Sequence, residues 1–315
     1  MVGSQLLVKL GHRLFEDRAE AEAFVAAIAT PQSVSTSLLW MQPPPDPRPF
    51  PVQPPLLWQP NWIDRLYLDA KPGTHPLHHQ GAYYCLDFSS VFSASVLTAI
   101  PTQMPLILDL CSAPGGKGLF AWRMFQPQQL WCNEAIRKRV RILIANLKRC
   151  GVYSAQVFNL DPAVFAEQVP QTASLVIVDA PCSGQSLLVK GGKAEGCFHK
   201  VTINKNANRQ KRILANAARA VAGGGYLAYM TCTFSRAENE QVCDWFLRKF
   251  PQFEPVSVPH LVPYQSHLTA TPCYRLWPQS RLGAGGFTAL FHNPKGPIQS
   301  VDSEVLQRYA WQLEQ

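Results

Sequence analysis

The chain has 315 residues, 47% of them hydrophobic, which is enough for one large domain with its own core beside a smaller unit. No apolar run approaches eighteen residues, so a membrane-spanning helix is excluded. Nine cysteines without a C-x-x-C pair exclude a zinc ribbon and fit a reducing compartment. The formal net charge of +8 favours a polyanionic partner. Glu16, Asp17, Arg18, Glu20 and Glu22 interrupt any apolar leader, so a signal peptide is not expected. The expectation is a cytoplasmic monomer without a metal.

Residues 1–30 read as helical, with Ala21, Phe24, Val25 and Ile28 on one face. From Pro43 to Pro60 nine of eighteen residues are proline, so this stretch is extended and outside any helix or central strand. Trp58 and Trp62 are expected to pack on the larger domain rather than stack on bases. Residues 1–80 are expected to be an N-terminal region with a polyanion-binding or packing role, residues 81–293 the main domain, and 294–315 a tail with a short amphipathic piece around Val305, Leu306 and Trp311.

Within the large domain, Gly81 to Ser90 is extended and leads into a capped helix through Val96 and Leu97. Leu106-Ile107-Leu108 is a short strand. It runs into Asp109-Leu110-Cys111-Ser112-Ala113-Pro114-Gly115-Gly116-Lys117-Gly118, and apolar residues at helical spacing follow. Such a turn lets a ligand approach the backbone and aims helix N-terminal N–H groups at it. It is not a P-loop, because Cys111 and Gly118 stand where glycine and Ser or Thr are required, and the G-x-G-x-x-G spacing is also absent.

Gln129 to Glu134 is a second strand ending in an acid, where ribose hydroxyls are bonded in doubly wound sheets. The next helix, about 136–150, carries Arg137, Lys138, Arg139, Arg141, Lys148 and Arg149 without an acid. Its basic side is either a solvated face or a phosphate-tracking one, and Arg139 is the candidate to turn inward and brace a ligand. Ala155 to Asp161 and Leu175 to Asp179 make third and fourth strands, again ending in acids. The fourth is continuous and β-branched, as a strand covered on both faces should be. Ala180-Pro181-Cys182-Ser183-Gly184 follows it directly.

Residues 185–208 read as a basic loop, either a surface insertion or a substrate grip. A helix over about 206–221 follows, ended by Gly223-Gly224-Gly225. Tyr226 to Phe234 forms a fifth strand bearing Cys232. Ser235-Arg236-Ala237-Glu238 fits a capping box opening a helix to about Lys249, and Gly285 to Phe291 makes a last strand.

Cys85, Cys132, Cys150 and Cys243 read as small buried hydrophobes. Cys182 and Cys232 stand past the carboxyl ends of central strands, where ligands collect. A thiolate there can attack an electron-poor carbon. Added to carbon 6 of a cytosine, it would make carbon 5 nucleophilic towards an electrophilic methyl. A second group would then help expel the thiolate, and an acid such as Asp179 would polarise the base edge.

In these residues the chain resembles the NOL/NOP/Sun (bacterial RsmB-like) family of RNA 5-methylcytosine methyltransferases, which use S-adenosylmethionine. The motifs are Asp109 to Lys117, Asn133-Glu134, Asp161, Asp179 to Gly184 and Thr231-Cys232-Thr233, with weaker support from Tyr83-Tyr84, Ser89-Ser90 and Gly286-Phe287. The resemblance implies an α/β fold of class I methyltransferase, Rossmann-like type: seven strands, mostly parallel, with helices on both faces. It implies that Cys111, Ser112, Ala113, Pro114, Gly115, Gly116 and Lys117 wrap the cofactor. Glu134 would take the ribose, Arg139 would brace the site, and Asp161 would take the adenine side. Asp179 would stand between cofactor and base, Cys232 would be the nucleophile and Cys182 would assist release. The order of the two cysteines comes from the resemblance alone.

Departures are Gly118 where the family usually has Thr, Ser112 where it has Ala, Leu86 for a Gln, and an N-terminal region that matches poorly. The length leaves no room for the extra N-terminal helical domain of longer bacterial members. The implied substrate is a flipped or single-stranded cytosine in rRNA or tRNA, with rRNA preferred. The alternatives are a non-catalytic RNA-binding or ribosome-assembly factor on the same scaffold, and a methyltransferase acting on protein or small molecules.

Overall fold

The computed structural model describes residues 2–31, 33–296, 306 and 308–313. The helical start is two helices, α1 (Val2–Leu14) and α2 (Arg18–Ala29). The break falls at Asp17, whose carboxylate accepts from Glu20 N–H at 2.9 Å and caps α2. Ala21, Phe24 and Ile28 are buried as their spacing predicts.

Two short strands, β1 (Thr36–Trp40) and β2 (Ile63–Arg65), flank the proline-rich stretch, and a single helical turn, α3 (Pro76–His79), follows. They were not foreseen, because each is too short for an alternation to register. With β3 (Tyr83–Asp87) they form an antiparallel sheet in the order β2-β1-β3. The segment expected to open the main domain is therefore paired inside the N-terminal sheet. Trp58 is buried and stacks on Phe88 at 4.8 Å, while Trp62 lies edge-on to Phe120 at 4.7 Å. The extended proline backbone needs no ladder partners, so it lays these two indoles on the larger domain.

The larger unit alternates helix and strand. It comprises α4 (Phe88–Ala94), β4 (Leu106–Asp109), α5 (Gly116–Phe125), β5 (Gln129–Asn133), α6 (Arg137–Arg149), β6 (Ala155–Phe158), α7 (Pro162–Gln168), β7 (Ala173–Asp179) and α8 (Lys200–Ala220). It continues with β8 (Val221–Thr231), α9 (Glu240–Lys249), β9 (Glu254–Pro255), β10 (Tyr274–Leu276), β11 (Gly286–His292) and β12 (Trp311–Gln312). The sheet order is β10-β11-β8-β7-β4-β5-β6-β12, with β9 also on β11. Strands β4 to β8 pair in parallel, β11 runs against β8, and β10 runs against β11. Leaving aside the two-residue β9 and β12, seven strands remain, six in one direction and β11 reversed.

Alternate residues of the central strands feed opposite cores. Ile107, Leu175 and Ile177 belong to one cluster, and Leu108, Val176 and Val178 to the other. Both faces are covered, which is why these strands read as unbroken apolar runs. The strand order turns back at β4, with β5 and β6 on one side and β7 and β8 on the other. That is the switch point at which carboxyl ends open a crevice.

Three local expectations change. The loop after Cys182 is shorter than foreseen: residues 185–190 form a 3-10 turn and α8 begins at Lys200. Gly223 to Gly225 do not end α8, which gives way to β8 at Val221; the glycines lie inside that strand. A Cβ on Gly223 would stand 1.9 Å from the Gly296 carbonyl oxygen, so close approach of a second backbone explains the glycine there. The Ser235–Glu238 capping box does not form. Helix α9 starts at Glu240, and Glu238 reaches elsewhere. In the tail Leu306 is buried and Trp311 pairs with Val157, whereas Val305 lies outside the described residues. Among the described residues no helix is long and apolar enough to cross a membrane.

Candidate active site

The crevice is built on the ends of five strands, β4 to β8. Asn133, the last residue of β5, ties three of its segments together. Its amide donates to the Leu110 and Leu160 carbonyls at 3.2 and 3.0 Å, and its oxygen accepts from Leu160 N–H at 3.0 Å. The turn after β4 is held from the side by α6. Arg139 donates to the Ala113 carbonyl, Asn146 donates to the Pro114 carbonyl at 2.8 Å, and Ser112 N–H meets the Asn133 carbonyl at 2.8 Å. The carbonyls of Ala113 and Pro114 thus face the helix. Gly115, at φ +117°, turns the chain into α5, a conformation closed to most side chains.

Arg139 also pairs with Glu134 at 3.1 Å, so it does turn inward. Glu134 is buried, and its other oxygen accepts from Ile136 N–H at 2.8 Å. Asp161 sits at the rim. One oxygen caps α7 through Ala163 N–H at 3.0 Å and the other lies 3.7 Å from Arg212, with both side chains largely exposed.

Asp109 closes the floor. It is fully buried, and neither of its oxygens makes a hydrogen bond. Burial pushes its carboxyl up to about 7; the Ser112 hydroxyl approaches and opposes the rise without completing a bond, while the Asp179 charge adds to it. The Ser112 hydroxyl is likewise buried without a hydrogen-bond partner, and Glu134 Oε2 is buried with only the Arg139 guanidinium against it, at 3.1 Å. Unpaired acceptors and a hydroxyl around a glycine turn at a helix N-terminus fit a ligand carrying hydroxyls and a cationic group. Gly118 preserves this floor, since a Cβ there would stand 3.2 Å from Asp109 Oδ2.

On the far side, buried Lys117 pairs with Asp179 at 3.2 Å. Beyond them the two strand-end cysteines meet, Cys182 Sγ to Cys232 Sγ at 3.3 Å, and both are partly exposed. Either sulfur can donate across this spacing, and the electrostatics favour Cys182 as donor to Cys232. That bond holds the Cys232 thiol below its ordinary value, with Ser186 and the Lys117 ammonium assisting, while burial and Asp179 oppose. Cys182 is driven well up as the donor of the same bond. The other seven thiols are all pushed up, with burial the largest cause for each. Cys232 is thus the one thiol of the nine held below its ordinary value, and the bond to Cys182 is the largest cause.

The structure brings Cys111 to Lys117, Glu134, Arg139, Asp179, Cys182 and Cys232 into one cluster and leaves Asp161 at its edge. Sequence reasoning assigned no role to Asp109 or Asn133, and it read Glu238 as a helix cap. A buried acid on a strand is visible only as an acid until its surroundings are known. A hollow of about 810 Å³ between α2 and the N-terminal sheet, lined by residues such as Gln53, Tyr67 and Arg281, holds no acid, histidine or thiol.

A seven-stranded sheet with one reversed strand, and its crevice at the β4 switch point, defines a Rossmann-like fold of the class I methyltransferase type. The family model described as 16S rRNA methyltransferase RsmB/F matches residues 95–292. The chain belongs to that family. It is 32% identical over 241 residues to the ribosomal RNA small subunit methyltransferase F of Cronobacter sakazakii, covering 75% of this chain and 50% of that protein. To the protein of the same name from Vibrio cholerae it is 35% identical over 198 residues, covering 62% and 42%. The chain thus spans about half or less of the length of these curated relatives. A crystal structure of a methyltransferase homolog protein from Pyrococcus horikoshii superposes with a TM-score of 0.70 at 20% identity, covering 91% of this chain and 98% of that one.

Proposed function

We propose that the chain is an S-adenosylmethionine-dependent RNA methyltransferase that acts on carbon 5 of a cytosine, through a covalent bond between Cys232 and carbon 6. Family membership supports methyl transfer to RNA, and the relatives' names favour small-subunit ribosomal RNA. The observation that carries the cytosine chemistry is the sulfur pair. Two cysteines from adjacent strand ends stand 3.3 Å apart beside Lys117 and Asp179, and only Cys232 of the pair is lowered towards thiolate.

Cys111 to Lys117, Glu134 and the unpaired Asp109 would hold the cofactor, with Asp161 at its outer edge. When bound, S-adenosylmethionine supplies a methyl group as an electrophilic carbon. Cys232 sulfur bonds carbon 6 and the displaced electron pair makes carbon 5 nucleophilic. Asp179, fixed by Lys117, would hydrogen-bond the base edge and steady the ring. Carbon 5 would take the methyl as the sulfonium's carbon–sulfur bond breaks to leave a neutral thioether, and the carbon 5 proton would then pass to a water at the open strand ends. The carbon 5–carbon 6 double bond re-forms as the Cys232 sulfur leaves, and Cys182 assists this release. A base must leave its stack to reach sulfurs at the strand ends, so a flipped or unpaired cytosine is the substrate.

The test is incubation of the protein with labelled S-adenosylmethionine and small-subunit ribosomal RNA, followed by nucleoside analysis. Label should appear as 5-methylcytosine, and Cys232→Ala should abolish it. Cys182→Ala should accumulate a denaturant-stable protein–RNA adduct. Full activity in Cys232→Ala would overturn the mechanism, and label in another nucleoside would overturn the assigned base.

A further inference from the structure

The two sulfurs belong to different loops, and neither loop is regular structure. Cys182 lies between β7 and the turn at 185–190, and Cys232 between β8 and α9. Thiols bonded only to each other would not hold a 3.3 Å spacing, because a single sulfur hydrogen bond is weak. Two bonds join the loops directly, Ser186 N–H to the Cys232 carbonyl at 3.2 Å and Phe234 N–H to the Gln185 side-chain oxygen at 2.9 Å, and a further join lies beneath the cysteines. Ser183 and Thr233, the residues following each cysteine, bond each other through their hydroxyls at 2.7 Å. Both converge on Glu238, which is wholly buried. Its Oε1 accepts from Ser183 N–H at 2.8 Å and from the Gln210 amide at 3.1 Å. Its Oε2 accepts from the Ser183 hydroxyl at 2.6 Å, and the Thr233 hydroxyl, whose one proton goes to Ser183, lies 3.4 Å away.

Gln210 also donates to the Pro181 carbonyl at 3.0 Å, so the loop is gripped on both sides of Cys182. On the other side Asn239 donates to the Thr233 carbonyl at 2.9 Å and accepts from the Thr231 hydroxyl at 2.7 Å, gripping the loop on both sides of Cys232.

We infer that Glu238 is a positioning residue: its carboxylate clamps the Cys182 and Cys232 loops to one another and so sets the distance between the two sulfurs. A carboxylate suits the task because it offers four acceptor sites and no donor, and all the groups aimed at it here donate. A buried acid supplied with this many donors is costly to replace by a group that lacks acceptors. Glu238 is too deep to meet a substrate, and its nearest recorded partners are hydroxyls and amides rather than either sulfur. Its contacts are with the loops, and its charge adds only a minor push to a Cys182 thiol already raised by the bond to Cys232 and by burial.

The catalytic consequence rests on the function proposed above, whereas the spacing can be read without it. Diamide accepts two electrons and two protons from a thiol pair and leaves a disulfide, so the rate at which Cys182 and Cys232 couple, followed by peptide mass spectrometry, reports their proximity directly. Glu238→Ala should slow this coupling and lower kcat, each by about a hundredfold, as expected for a misplacement of about 1 Å, while KM for S-adenosylmethionine stays within about twofold. Glu238→Gln keeps the acceptor for Ser183 N–H and should restore part of both.

If Glu238→Ala shows no cooperative unfolding transition, Glu238→Gln and Ser183→Ala decide, the latter removing one hydroxyl from the clamp. Coupling and kcat at wild-type values in those variants would overturn the inference. If the wild type methylates no cytosine but coupling still collapses in the variants, the clamp stands and the proposed reaction fails. If the wild type is active and coupling is unmoved, the clamp alone fails.

Discussion

Asp109 is buried among β4, its turn and the first turn of α5, where the Ser112 hydroxyl and the Cys111 N–H approach its charge without completing a bond. Its carboxyl lies near 7 instead of 3.8, mainly because burial penalises the anion. The sign follows from proton binding. Between about pH 4 and 7 the unfolded chain has lost this proton and the folded chain keeps it, so stability contributed by Asp109 falls as pH rises through that window. At about 1.4 kcal/mol per pH unit the fall is on the order of 4 kcal/mol. Asp109→Asn should flatten that part of the curve in urea unfolding measured from pH 4 to 7. The thiols make a second case. Cys232 should be the first of the nine cysteines alkylated by iodoacetamide at pH 8, read peptide by peptide. Cys182→Ala should slow it by removing the donated hydrogen bond that is its largest stabiliser.

Among the elements, the turn that enters α9 shows how a short run of residues can serve three neighbours. Glu238 grips the loop after β7, Asn239 grips the end of β8, and Glu240 forms an ion pair with Arg275 of β10 at 2.5 and 2.6 Å, with both side chains almost wholly buried. Burial works against the Glu240 charge, but Arg275 overrides it and the carboxyl lies below its ordinary value. Arg275→Ala leaves that charge unpaired and should cost about 3–5 kcal/mol in urea unfolding. Replacing both partners with apolar residues of similar volume should recover most of the loss. Helix α6 likewise holds the smaller unit. Arg149 at its end donates to the His78 and Tyr83 carbonyls at 2.8 and 3.2 Å, and Gly81 presses on the same turn. A Cβ on Gly81, at φ +74°, would meet the Arg149 carbonyl oxygen at 1.5 Å. Gly81→Ala should therefore destabilise by at least about 2 kcal/mol, seen as a lowered denaturant midpoint.

At the scale of the whole molecule, the net charge of +8 is not spread without pattern. Helix α8 passes from the Asp161 rim to the Cys182 loop: Arg212 pairs with Asp161, and Gln210 bonds Pro181. The exposed side of the same helix carries Lys205 and Arg209 next to these crevice contacts. If both meet phosphates of single-stranded RNA, Lys205→Glu with Arg209→Glu should weaken binding at all sequences alike. The slope of log affinity against log salt should fall by about 1.4, or about 0.7 per lost contact, in a filter-binding titration. An unchanged slope would place the RNA elsewhere.

Much of this organisation was legible from residue order. Alternating apolar strands and helical spacing specify the parallel sheet, because a strand buried on both faces must be apolar throughout. The acids and cysteines at the strand ends mark the crevice, because chain direction alone decides which end carries them. The basis for ranking the two sulfurs was not legible, since it depends on a hydrogen bond across fifty residues and on Lys117 reaching in from another loop. Nor were β1, β2 and β10, whose brevity hides any period. Glu238 and Asp109 make the same point most sharply. A carboxylate's role is set by what surrounds it, and its surroundings exist only once distant segments have packed.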